Sequence, residues 1–163
     1  LCTVALSACG GSSNSATTKT EASKADVLTA IAPKTSSITP LPPTPEEQAS
    51  KSSISGVDAN TNGVRDDIEI SLAKTALHDG GTASATDFSK LLEVVKIIQP
   101  SETSKTIDIK KFYCSYQSMP ASIKEKISAS MMIALVTDTQ ARKRAYAEQS
   151  INTSGSLGAE ICE

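Results

Sequence analysis

Aromatic side chains and prolines divide this 163-residue chain into two unequal parts. All five aromatics (Phe88, Phe112, Tyr113, Tyr116 and Tyr146) lie in the second half. Five of the seven prolines (Pro33, Pro40, Pro42, Pro43 and Pro45) crowd into one short stretch of the first. Between Gly10 and Gly56 the chain is mostly Ser, Thr, Ala, Lys and Pro, and its few acids balance its few lysines. Such a stretch cannot bury enough apolar surface to offset the entropy of ordering it. It reads as a disordered linker, stiffened towards polyproline II around Leu41-Pro42-Pro43. A short helix over residues 25–31 would have no partner face. The rival reading of the prolines is a ligand for a proline-recognition domain. The folded part is expected over residues 57–163, enough for one modest core.

The chain opens Leu1-Cys2-Thr3-Val4-Ala5-Leu6-Ser7-Ala8-Cys9-Gly10-Gly11. Residues 1–8 read as the end of a secretory signal. Leu6-Ser7-Ala8-Cys9 resembles a bacterial lipobox, in which small residues fit the peptidase groove and the cysteine thiol receives diacylglycerol. That resemblance implies that Cys9 becomes the N-terminus and carries two or three acyl chains, and two chains already anchor stably where one is marginal. Gly10 in place of Asp is similar to the outer-membrane sorting class. The expected location is therefore the bacterial cell envelope, on the outer membrane, facing the periplasm or the cell surface. Residues 9–56 are the expected tether. With Cys2 lost and Cys9 acylated, Cys114 and Cys162 remain. An even remainder in an oxidising compartment suggests one disulfide, the alternative being two separate thiols.

Residues 58–69 read Asp-Ala-Asn-Thr-Asn-Gly-Val-Arg-Asp-Asp-Ile-Glu. The pattern matches the twelve-residue EF-hand calcium loop. Asp58 stands at position 1, Asn60 at 3, Asn62 at 5, Gly63 at 6, the Val64 carbonyl at 7, Asp66 at 9 and Glu69 at 12. Calcium takes six to eight oxygens, so alternate side chains must wrap it, and the sharp turn favours glycine. The expected cofactor is one Ca2+ ion. Two Asn ligands in place of Asp reduce the negative charge, which suits extracellular affinities, with Kd about 10⁻⁴–10⁻³ M. The competing reading is an Asx-rich turn that caps a helix without metal.

Three departures from the EF-hand matter. Ser52-Ser53-Ile54-Ser55-Gly56 is a poor entering helix. Position 8, normally an apolar residue facing a second hand, is Arg65. No second copy of the loop occurs. In this the loop resembles thrombospondin type 3 repeats and dockerins more than a paired calcium sensor.

The remainder carries helical periodicity. Ile68, Leu72, Ala76 and Leu77 recur up to Gly80-Gly81. A second helix opens near Thr86 and stops before Pro100. A third spans residues 106–118, with Ile109, Phe112, Tyr113 and Tyr116 on a core face. A fourth starts at Pro120 and keeps Ile123, Ile127, Met131, Ala134 and Leu135 in phase. Thr137 or Asp138 caps a fifth, reaching about Ile151. Ile107 and Ile109 alternate with polar neighbours, as a short unpartnered strand would. The expected class is all-α: a small bundle of about five helices after the calcium loop.

A net charge of −2 argues against nucleic-acid binding. No run of about eighteen apolar residues occurs, so no membrane-spanning helix is expected. Lys110-Lys111 and Arg142-Lys143-Arg144 read as solvated helix faces, with contact to anionic lipid or cell wall as the alternative. His78, the only histidine, sits where a helix C-terminus suits it. With no histidine pair and no Gly-x-Ser-x-Gly, a catalytic set is not visible.

Leu41-Pro42-Pro43, the loop through Glu69, and Thr139-Gln140-Ala141-Arg142-Lys143-Arg144-Ala145-Tyr146 together resemble a family of bacterial lipoproteins of unassigned activity. In that family a proline-rich stalk leads into a calcium-type loop and a small helical domain. The resemblance implies a membrane-anchored, non-enzymatic envelope protein with one structural calcium ion, binding an envelope protein or the cell wall. The alternatives are a dockerin-like adaptor that needs calcium to bind, and an envelope hydrolase.

Overall fold

A computed structural model describes residues 41–78, 83–103 and 105–150, together with Thr29 and Cys162. The lipobox, Cys9 and most of the tether lie outside the described residues, as does the short helix considered over residues 25–31, Thr29 apart.

The fold is all-α. Among the described residues there are seven α-helices and no strand. They are α1 (Glu47–Lys51), α2 (Asp66–Ala73), α3 (Ala85–Ile98), α4 (Ile109–Gln117), α5 (Ala121–Lys124), α6 (Ala129–Val136) and α7 (Gln140–Gln149). α2 runs on into a π-helical turn, Lys74–His78, which keeps Ala76 and Leu77 buried and leaves His78 exposed at its end. The core gathers Ile68 and Leu72 from α2, Phe88, Leu91, Val95 and Ile98 from α3, and Phe112 from α4. Ile123, Met132 and Val136 close it from α5 and α6. Each side chain of that size contributes about 1.5–3 kcal/mol on leaving water.

Local chemistry explains where the helices begin. α3 starts at Ala85, slightly ahead of Thr86, because Ser84 and Asp87 form a reciprocal capping box. α4 starts at Ile109 rather than residue 106. The Asp108 carboxylate accepts from the Lys111 N–H at 2.8 Å, and Ile107 instead donates its N–H to the Gln149 carbonyl at 2.9 Å. The single fourth helix expected from Pro120 onward is two. Ser128 is extended, and its hydroxyl accepts from the Met131 N–H at 3.1 Å, which opens a new helix. The neighbouring Ile127 carbonyl turns to accept the Tyr116 hydroxyl at 3.1 Å. The last helix is capped by Thr139, which accepts from the Arg142 N–H at 3.2 Å, rather than by Thr137 or Asp138.

Two features fix the ends of the body. Cys114 and Cys162 are bridged, 48 residues apart in sequence with Cα atoms 5.3 Å apart. A loop of that length costs the unfolded chain about 4 kcal/mol of entropy when closed. At the other end, residues 41–56 belong to the packed body rather than to a linker. Pro42 and Ser50 are buried, Leu41 packs against the core, and the Glu102 carboxylate accepts the Ile54 N–H at 2.7 Å. Composition alone disfavours order here because the anchors come from residues far along the chain, such as Glu102 and Arg142.

Candidate metal centre

The loop of residues 58–69 is closed at its neck by a backbone bond of 2.8 Å from the Asp66 N–H to the Val57 carbonyl. Within it, the Asp58 carboxylate accepts from the Asn62 N–H at 3.1 Å and the Gly63 N–H at 2.8 Å. Gly63 has φ of +85°, the left-handed conformation the sixth position requires. Thr61 also takes a positive φ, +53°, which is rare for a β-branched residue. Asn62 Oδ1 accepts from the Val64 N–H at 2.8 Å, and both Asp66 oxygens accept from the Ala59 N–H at 3.1 and 3.2 Å. Val64, Ile68 and Leu72 anchor the far side of the loop in the core.

Glu69 is the centre of the arrangement. It arrives from the first turn of α2 and is wholly buried. Its Oε2 accepts from the side-chain amides of Asn62 at 2.7 Å and Asn60 at 3.2 Å. Its Oε1 is buried with no hydrogen-bond partner. Burial raises the Glu69 pKa, the charges of Asp66 and Asp58 raise it further, and the two amides offset only part of this. Asp66 is likewise wholly buried and raised, first by burial and then by Asp58 and Asp67. Among the described residues, none of Asp58, Asp66 and Glu69 is in an ion pair.

The structure therefore brings Asn60, Asn62 and Glu69 into direct contact, with Asp58 and Asp66 holding the loop backbone around them. No group of three or more His, Cys, Asp or Glu is drawn together as a metal cluster among the described residues. Amides stand between the carboxylates, and both point nitrogen at Glu69. Binding a cation would require the two amides to turn and present oxygen. The donor set still suits a hard ion: three carboxylates, two amide oxygens and one backbone carbonyl are all oxygen ligands. An orphaned, fully buried carboxylate oxygen is a group that an ion would satisfy.

Beside the loop lies a second polar cluster. Arg65, loop position 8, is wholly buried and clasps Asp67 through Nε at 2.9 Å and Nη2 at 2.7 Å. The same Nη2 reaches Asp138 at 3.2 Å. Arg142 is also wholly buried, which corrects its reading as a solvated face. It donates to both Asp138 oxygens at 2.8 and 3.1 Å, to the Ile54 carbonyl at 3.0 Å and to the Ser53 carbonyl at 2.9 Å, and it also reaches the Ser50 carbonyl. Gly56 makes room for the Arg142 guanidinium and the Arg65 stem. A Cβ there would lie 2.9 Å from Arg142 Nη2 and 2.9 Å from Arg65 Cδ, at a φ of +63°. Burial raises Asp67, but the hydrogen bond from Arg65 and the charges of Arg65 and Arg142 outweigh it and hold its pKa low.

Sequence reasoning marked Arg65 as a departure without finding its partners, and it missed Asp67, Asp138 and Gln99. Asp67 was the accessible signal, since a carboxylate two residues from an arginine at a helix start can fold back on it.

A cleft of about 560 Å3 separates α3 from residues 105–115, lined by Lys96, Lys105, Lys111, Thr106 and Ser115 over Ile97. Its carboxylates are engaged: Glu93 pairs with Lys96, and Asp108 caps α4. Lys105 is lowered by burial and by the charge of Lys111.

Comparison with known proteins returned no matching family model, no matching curated relative and no matching solved structure.

Proposed function

We propose that this protein is a lipid-anchored component of the bacterial envelope whose helical domain is stabilised by one calcium ion in the loop of residues 58–69. The observation that carries the metal reading is Glu69 Oε1, a fully buried carboxylate oxygen without a partner inside a loop whose spacing fits calcium. Asp58, Asn60, Asn62, Asp66, Glu69 and the Val64 carbonyl would hold the ion, and the ion would supply the positive charge that Asp66 and Glu69 lack.

The anchor reading rests on Leu6-Ser7-Ala8-Cys9 and on the Gly/Ser-rich residues after it. The role that follows is binding or structural. The domain carries its order in core, disulfide and loop, and the sequence shows neither a histidine pair nor Gly-x-Ser-x-Gly.

Two measurements test this. A thermal melt of the purified chain should rise by about 5–10 °C between chelator and calcium at ten times Kd, which corresponds to about 1.4 kcal/mol for a domain of this size. An unchanged midpoint across millimolar calcium would remove the metal. In cells, Cys9→Ser should move the protein from the membrane fraction to the soluble envelope fraction, and continued sedimentation with membranes would remove the lipid anchor.

A further inference from the structure

Gln99 is the residue at which α3 stops. Pro100 follows it, and the residue before a proline is driven out of the helical region, so Gln99 takes an extended φ and ψ of −69° and 121°. That turn carries its side chain to the loop, where its amide makes two hydrogen bonds. Oε1 accepts from the Arg65 N–H at 3.0 Å, and Nε2 donates to the Gly63 carbonyl at 3.2 Å. The two backbone groups flank Val64, whose carbonyl stands at the seventh loop position.

The geometry has a chemical consequence. The Val64 carbonyl and the Arg65 N–H belong to one peptide group, and the described backbone contains no cis bond. In a trans peptide these two dipoles point in opposite directions. Holding the N–H towards Gln99 therefore turns the Val64 oxygen away from Gln99. Accepting that N–H also polarises the peptide and makes its oxygen a better ligand. In a paired EF-hand the eighth position faces a second loop. Here the eighth side chain, Arg65, is buried against Asp67 and Asp138, and its N–H is taken by a side chain of the same domain.

We infer that Gln99 is a positioning residue for the metal site, its amide replacing the partner loop by fixing the Val64 carbonyl as a ligand, so that the lone loop binds calcium unaided. The inference rests on the calcium reading above.

The test is an NMR titration of calcium chloride into the isotope-labelled full chain, following the Val64 carbonyl carbon and the Arg65 amide. Wild type, Gln99→Met and Gln99→Glu are compared, with each melting temperature measured in chelator. Gln99→Met keeps the stem and loses both hydrogen bonds. It should weaken calcium about tenfold, as the loss of an outer-shell partner does, and shrink the calcium-induced shift at Val64. Gln99→Glu keeps the acceptor for Arg65 and should recover most of the affinity. A purely structural role would lower the melting temperature in chelator and leave affinity and the Val64 shift alone, which would overturn the inference. Wild-type affinity in Gln99→Met would overturn it as well. If wild type itself shows no calcium response, the calcium reading fails first and the inference falls with it.

Discussion

Two polar regions sit side by side at the start of α2, and they treat buried charge in opposite ways. In the arginine cluster, Arg65 and Arg142 face Asp67 and Asp138, so two positive groups meet two negative ones. In the loop, Asp58, Asp66 and Glu69 meet amides and backbone N–H groups, with no cation among their ion pairs in the described residues. Asp66 and Asp67 are neighbours in sequence, yet the first is pushed above its ordinary pKa and the second held below it. Burial acts upward on both, and the sign is decided by which one an arginine reaches. Opposite charge compensates burial in one cluster, and hydrogen-bond donors alone do so in the other.

Both arginines share Asp138. Asp138→Ala leaves two buried guanidinium groups without it and should cost about 3 kcal/mol, read by urea unfolding. The loss should be similar with and without calcium, because the cluster carries its own compensation. A loss under about 1 kcal/mol would mean that the cluster is solvated in solution.

Gly56→Ala attacks the same cluster through the backbone. The new methyl meets Arg65, Arg142 and the Ser50 carbonyl at 3.0 Å or less, at a positive φ. The expected cost is about 2 kcal/mol. Gly63→Ala is the matched change in the loop. Its Cβ would meet only the Lys96 stem at 3.5 Å, so the cost there is conformational, about 1 kcal/mol, with the larger effect on calcium affinity. Equal costs at the two glycines would show that crowding around the arginines is not what Gly56 relieves.

The smallest effect is the most diagnostic. In chelator, Glu69 and Asp66 have raised folded pKa values, so their contribution to stability is fully present below the unfolded carboxylate pKa and is lost as pH rises through the folded values. Asp67 is lowered, so its contribution is present above the unfolded carboxylate pKa and is lost as pH falls through the folded value. Glu69→Gln removes only the first kind. It should therefore be more stable than wild type at neutral pH in chelator, converge with it in acid, and lose the calcium-induced rise in melting temperature. A variant less stable than wild type at neutral pH would reverse the sign assigned to the loop.

Much of this could be read along the chain. The fold class followed from periodic apolar positions, and the loop from fixed spacing. The aromatic stripe of α4 is core as expected, with Phe112 buried and 5.1 Å from Tyr113 between ring centres. Cysteine parity suggests the pairing of Cys114 with Cys162, and the structure bridges them. Helix starts were less legible at Ser128 and Asp108, where a single side-chain acceptor competes with a run of residues that would otherwise continue the helix.

Short-range chemistry is legible along the chain: the helical class, the apolar faces, and oxygen donors at ligand spacing in residues 58–69. Only the tertiary structure decided the fate of the long polar side chains. Arg142 reaches the Ile54 carbonyl across 88 residues, and Gln99 grips the loop across 34 and 36. An arginine or glutamine is soluble on a surface and satisfied in a core if partners converge on it. Which of the two occurs depends on groups far away in the chain, and for residues 41–56 those distant groups decided order itself.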